Sequence, residues 1–557
     1  MTGQDAFKDE FTHSHGGQCY FVAVDPSFPL QVTDIARVVA QVAVQGDDAE
    51  RSTYVDSLAQ RANDALPPPT EPAHSDDADD DDSDETARAS LAPPKDTADS
   101  LAAKRELVRD VVSQLAQAGR GAIQNLADRQ LIGFTNLTLS LVLGLFADDA
   151  DTSARDELVR SLVDAIAPAV ESGPANPALS TRYSALATIF NALPLKAGPL
   201  RFHVLTTLVE SAAQHDDIAI VRPALAENQL ELYFKQAGDD VEVAADETTS
   251  RIVEALLKNA AGPKAADPVG TARLAREILL ARLSAPSGAG AESSTRTKLG
   301  ATLLALSFAS NDVFDFTPFS RAANRFPAVH QSSSNDALGR TLELFTTETG
   351  AELDVAKLPS QADLDAAIAG STLLPASSTS SSSSAAASSS SASPLSSSAA
   401  ASPTRLDRAQ LERKIKLVKL AQLCEDKVGG QVRYEEIQKQ LGLKKASDDD
   451  DDDEGEEVET WVIDAIRASL LQGRLSQPTR SLFVTRAAPV APGAFSTDKW
   501  TTVQQRLEGW KHALEKVTQT VEKSLNVTGP TAGGRRAGAE EVMANHHQHQ
   551  QQQAIEV

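Results

Sequence analysis

Apolar residues recur at steps of three and four along most of the chain, the spacing of one face of an α-helix. Leu107, Val108, Val111, Val112 and Leu115 predict a helix over Leu101 to Ala118. Ser153-Ala-Arg-Asp156 reads as a capping box opening the next, whose apolar face is Leu158, Val159, Leu162, Val163, Ile166 and Val170 and whose stop is Gly173-Pro174. Further helices are predicted at Thr181 to Leu193, Leu200 to Ala213, Thr249 to Ala261, Pro268 to Leu283 and Thr295 to Phe308, with no clear strand between them. Helices of this length on short loops stack in pairs and form an α-solenoid. No strict sequence period accompanies them, so the repeat is architectural.

The pattern changes near residue 404. Arg405 to Cys424 predicts a helix with Leu406, Leu411, Ile415, Val418 and Leu423 inward and Arg408, Arg413, Lys414, Lys416 and Lys419 largely outward. A short helix at Tyr434 to Leu441 follows, then VETWVIDAIRASLLQG with Val458, Trp461, Val462, Ala465, Ile466 and Leu470 on one face. Arg474-Leu475-Ser476 and Leu482-Phe483-Val484 alternate on either side of Gln477-Pro478-Thr479. Three helices followed by a two-stranded ribbon make a winged helix, with Leu482, Phe483 and Val484 expected as an edge strand open to a further strand. Beyond it, Trp500, Val503, Leu507, Trp510, Leu514, Val517, Val521 and Leu525 draw one narrow apolar line down a polar helix. Such a line packs along another helix, in its own domain or in a partner.

Composition divides this helical chain further. Of its 557 residues, Asp76 to Glu85 contribute eight acidic side chains and Asp448 to Glu457 nine, so seventeen of the 26 excess negative charges sit in two runs. Such runs repel and remain solvated. The expected partition is a region of unassigned fold at 1–64, an acidic disordered linker at 65–100 and helical repeats at 101–370. A Ser/Ala-rich linker at 371–403, a winged helix at 404–495, a partner helix at 496–526 and a disordered tail at 527–557 complete it. Leu131 to Ala147 is uncharged, but its Asn, Thr, Ser and Gly content predicts a buried helix rather than a membrane span, and no membrane association is expected.

Few residues suggest chemistry. Two cysteines, Cys19 and Cys424, build neither a disulfide framework nor a zinc site, which favours a reducing, cytoplasmic setting. No phosphate-cradling glycine loop, His-Glu-x-x-His pattern or nucleophile elbow occurs, and neither catalysis nor a cofactor nor a metal is expected. His13, His15 and Cys19 near the start and His546, His547 and His549 in the tail lie in polar, low-complexity surroundings. A winged helix also suggests nucleic acid, and Arg405 to Lys427 carries seven basic residues against four acidic. The third helix opposes this, since Glu456, Glu457, Glu459 and Asp464 would repel phosphate.

Two features together carry a resemblance: EVETWVIDAIRASLLQGRLSQPTRSLFVT, and the terminal helix with Trp500, Leu507 and Trp510. They resemble the subunit M family of eukaryotic translation initiation factor 3, a PCI-domain family. RYSALATIFNALPLKAGPLRFHVLTTLVE and DVFDFTPF are similar to the same family's repeat helices. The resemblance spans about Leu101 to Leu525, with the PCI domain's helical part starting near residue 228. It implies a mostly α fold of helical repeats, winged helix and long C-terminal helix, and a non-catalytic scaffold supporting assembly of the complex, small-subunit binding and initiation of protein synthesis. Implied partners are the other subunits of the initiation factor, met by the ribbon and the terminal seam, and the small ribosomal subunit through the complex. RNA contact, from Arg413, Lys414, Lys416 and Lys419, is expected only within that assembly. Proteasome-lid and signalosome subunits share the design and are the alternative, beside a winged-helix nucleic-acid module. The Ser/Ala insertion is foreign to the pattern, and must loop out if the repeats are to pack on the winged helix.

Overall fold

The computed structural model describes residues 27–66, 97–375, 404–443, 453–488 and 497–527, except short stretches at 45–46, 124–125, 148–151, 169–178, 227–228, 239–240, 264, 285–293, 321–324, 333–335 and 348–352. The expected Gly173-Pro174 stop, both central low-complexity tracts, the tail and the terminal histidines fall outside these residues.

Among the described residues the first nine helices are α1 (Phe28–Ala43), α2 (Asp48–Asp64), α3 (Ala98–Ala118), α4 (Asp128–Leu145), α5 (Thr152–Ile166), α6 (Leu179–Ala192), α7 (Gly198–Gln214), α8 (Ile218–Leu225) and α9 (Gln229–Ala237). The repeats continue through α10 (Glu242–Ala261), α11 (Pro268–Ser284), α12 (Ser294–Ala309), α13 (Pro327–Ser332), α14 (Ala337–Thr347) and α15 (Gln361–Ser371). The winged helix follows as α16 (Arg408–Asp426), β1 (Gln431–Arg433), α17 (Tyr434–Leu441), α18 (Asp453–Arg467), β2 (Leu471–Ser476) and β3 (Ser481–Ala487), and α19 (Thr497–Val527) ends the described chain.

Helix stacking runs without a break from the first helix to the winged helix. α1 packs on α2 and α3, α3 on α5, α5 on α7, α7 on α10, α10 on α11, α11 on α12, and α12 on α15 and α16. One apolar core accordingly extends from Phe28 to Val484. The α1–α2 pair, for which the sequence offered no fold, belongs to this stack. The uncharged stretch from Leu131 lies in α4, with Leu131, Phe134, Leu139 and Val142 buried, and among the described residues no helix is long and apolar enough to cross a membrane. α5 opens at Thr152, so Ser153 sits inside its first turn rather than at a capping position.

Buried arginines tie neighbouring repeats together. Arg182 is wholly buried and donates to the carbonyls of Ile166 (2.8 Å) and Ile123 (3.3 Å), so it covers a carbonyl that the end of α5 would otherwise leave unpaired. Asp246 on α10 accepts from Arg282 on α11 at 2.7 Å and from Arg296 on α12 at 3.4 Å. Three consecutive helices are thereby tied at one buried carboxylate, an arrangement stable only while all partners stay. Gly300 lets α12 and α13 approach closely, since a Cβ there would lie 2.7 Å from the backbone of Ala328 on α13.

Both insertions leave and rejoin the same body. Ser100 Oγ donates to the carbonyl of Ala65 across the acidic tract. On the two sides of the Ser/Ala tract, the Leu373 amide donates to Thr302 Oγ1 at 3.0 Å, and Gln361 on α15 bonds the Leu406 carbonyl and the Arg408 amide at 3.1 and 2.8 Å. Leu374, Thr404 and Leu406 are buried. The tract expected from residue 371 is anchored until Leu374, because α15 runs through Ser371 and its last turn is covered.

Candidate assembly interface

The winged helix is built on a core supplied by every one of its elements: Leu411, Ile415, Val418 and Cys424 from α16, Val432 from β1, Ile437 and Leu441 from α17, Val458 and Val462 from α18, Leu471 from β2, and Leu482 and Val484 from β3. Gly442, with φ of +65°, ends α17 in the left-handed conformation that favours glycine. Burial pushes the Cys424 thiol up to about 11, so it is an inert core residue.

The sheet differs from the expected ribbon. It has three strands in the order β1-β3-β2, with Val432 opposite Leu482 and Leu475 opposite Leu482. Leu482, Phe483 and Val484 therefore lie in the central strand, not at an edge. The three-residue β1, a Gln-Val-Arg alternation too short to read as a strand, takes the side expected to be open. The exposed edges are β1 and the longer β2, whose pairing with β3 carries a bulge at Gln472/Gly473. Phe483 projects from the solvent face of the sheet and is 41 % exposed.

The basic helix α16 also departs from expectation. Lys414 points inward rather than outward: it is 3 % exposed, and its Nζ donates to the carbonyls of Ser307 (2.9 Å) and Val313 (3.0 Å). The rings of Phe314 and Phe316 flank it at 5.8 and 5.4 Å. Burial drives its pKa down to about 7, against Asp312, which raises it, and with Arg276, which lowers it further. The wheel position explains this, because Lys414 stands three residues after Leu411 and four before Val418, on the core side of the helix. Arg413 pairs with Asp464 on α18 at 2.7 Å, Lys416 lies 5.1 Å over the Trp461 ring, and Lys419 is half-buried.

Below this junction Phe308, Phe316 and Phe345 form an aromatic cluster with centroid separations of 4.9 to 5.9 Å, and Phe319 extends it to Phe326. DVFDFTPF thus supplies the seat of the winged helix rather than a repeat helix: only Thr317–Phe319 is helical, as a single 3-10 turn.

The terminal helix α19 forms a unit of its own. At 31 residues it is about 46 Å long. Trp500, Leu507, Trp510, Leu514, Val517 and Val521 are all at least half exposed, Trp510 the most at 70 %. Val503 is half-buried, and the side chain of Leu525 lies outside the described residues. An apolar line of this length facing water is far beyond scattered surface leucines.

Comparison with known proteins agrees with this architecture. The family model described as "PCI domain" matches residues 405–486, the winged helix just described. The chain carries a PCI domain. It is 27 % identical over 417 residues to eukaryotic translation initiation factor 3 subunit M of Aspergillus terreus, covering 74 % of this chain and 75 % of that protein. The Aspergillus oryzae subunit M is 27 % identical over 412 residues, 73 % of each chain. The Phaeosphaeria nodorum subunit M reaches 35 % over 120 residues, 21 % of this chain and 24 % of its own. The resemblance to the subunit M family read from the residues around Trp461 is borne out. Among the described residues no group of His, Cys, Asp or Glu has the arrangement of a metal site.

Proposed function

We propose that this chain is a non-catalytic scaffold subunit of a eukaryotic translation initiation factor 3 complex, supporting its assembly, its binding to the small ribosomal subunit and the initiation of protein synthesis in the cytoplasm. The observation that carries the reading is the likeness to subunit M proteins over three quarters of both chains, repeats included. Two surfaces fit the role. The apolar line from Trp500 to Val521 is the partner-helix seam, with two tryptophans of the kind that anchor interfaces. The second is the outer edge of β2, whose backbone groups suit addition of a neighbour's strand. The repeats hold the winged helix through Lys414 and Gln361, which fits a scaffold that presents its surfaces at fixed places.

The test is affinity purification of the tagged full-length chain from its own cells with mass spectrometry of what accompanies it. Recovery of initiation factor 3 subunits and small-subunit ribosomal proteins is expected. Recovery of proteasome-lid or signalosome subunits instead would keep the architecture and overturn the function.

A further inference from the structure

We propose that the solvent face of the winged-helix sheet is a platform for single-stranded RNA, with Phe483 as the stacking ring and Arg433 and Arg474 as phosphate contacts. The register puts these groups together. Phe483 in the central strand stands directly opposite Gln431 on β1 and Arg474 on β2, and Arg433 stands opposite Ser481, two residues along the same face. Directly opposed residues share a face, so Gln431, Phe483 and Arg474 form one row across three strands, with Arg433 diagonal to the ring. All four are exposed.

Charge favours the same ligand. The three strands contain Arg433, Arg474 and Arg486 and no acidic residue, within a chain of net charge −26. Among the described residues none of these three arginines forms an ion pair, whereas on α16 Arg413 is held by Asp464. Two carboxylates of the winged helix are already engaged: Glu459 accepts from Tyr434 and Gln477, and Glu436 pairs with Lys427. An acidic peptide would use the arginines but leave the ring in water. A single RNA strand uses every group, since a base stacks on the ring, phosphates meet the guanidiniums and the Gln431 amide can bond a base edge. Duplex bases are not free to stack, so a single strand is specified. Strand addition at β2 runs in the plane of the sheet and leaves this face open. The inference stands apart from the scaffold reading, because it rests on the sheet alone.

The test is fluorescence anisotropy of a labelled oligouridylate titrated with the full-length chain at low salt. Binding is expected, weakening roughly 10-fold in Phe483→Ala. The Arg433→Gln, Arg474→Gln pair should lower the slope of log affinity against log salt by roughly 1.4, at about 0.7 per phosphate. Phe483→Leu, which keeps an apolar side chain of similar bulk, separates stacking from folding and is expected to bind nearly as weakly as the alanine variant. Absence of binding by the wild type, or binding untouched by both Phe483 variants, overturns the proposal. So does displacement of the RNA by polyglutamate at equal charge concentration, which would make the face an acidic-peptide site.

Discussion

Two helices, α16 before the sheet in the sequence and α19 after it, carry apolar residues at the same helical spacing and meet opposite fates. α16 buries Leu411, Ile415, Leu417, Val418, Leu420, Ala421 and Cys424, so two of every three or four positions are inward and even a lysine among them is taken into the core. α19 has a single apolar residue per turn, and that line faces water. The width of the stripe, not its period, separates a helix completed by its own domain from one awaiting a partner.

Several substitutions sharpen this contrast. The largest effect on stability is expected from Ile415→Ala, which empties a fully buried site at the junction and should cost about 2–5 kcal/mol in chemical denaturation. In Trp510→Ala, the same measurement on the isolated chain should move by less than about 0.5 kcal/mol, because no packing in the chain depends on the ring. A large loss there would mean that α19 is covered by its own chain, and the contrast would fail.

Lys414 gives an effect of intermediate size with a pH signature. Its folded pKa, about 7, lies below its ordinary value of 10.5, so between these the unfolded chain binds the extra proton. Stability associated with this residue therefore rises with pH through that window and is lowest below pH 7, where the ammonium must be buried charged. Lys414→Met should flatten the difference: the wild-type melting temperature should climb relative to the variant from pH 7 to pH 9. A constant offset would mean that the carbonyls of Ser307 and Val313 and the two phenylalanine rings hold the ammonium at its ordinary affinity. The smallest effect concerns the Ser/Ala tract. Limited proteolysis between Ser377 and Ser398 should leave the two fragments eluting together with little change in melting temperature, because the flanks are fixed at Thr302 and Gln361. Fragments that part would show that the junction depends on the tract.

The longer repeat helices from α3 to α12 were legible in the sequence because long amphipathic segments repeat one physical pattern, and their ends fall within a few residues of the expected ones except at α5, which ends at Ile166 short of Val170, and at α10, which begins seven residues earlier, at Glu242; α8, α9 and α13 to α15 were not read from the sequence. The winged helix was legible in its three helices and two longer strands. What escaped notice was short or long-range. β1 has three residues, and its consequence, that β3 is central, depends on a pairing of Gln431 with Phe483 across about fifty positions. The inward turn of Lys414 was readable from the helical wheel, but its partners, Ser307 and Val313, lie on the far side of the Ser/Ala tract. The apolar line of α19 was fully readable, and the structure places it in water among the described residues.

The most direct measurement is co-purification by the tagged chain carrying Trp510→Glu and Leu514→Glu, beside wild type and Ile415→Ala. The double variant should keep the wild-type unfolding curve and lose its companions. Companions recovered at wild-type yield would contradict the assignment of the seam to a partner, and with it the central account of how this chain joins an assembly.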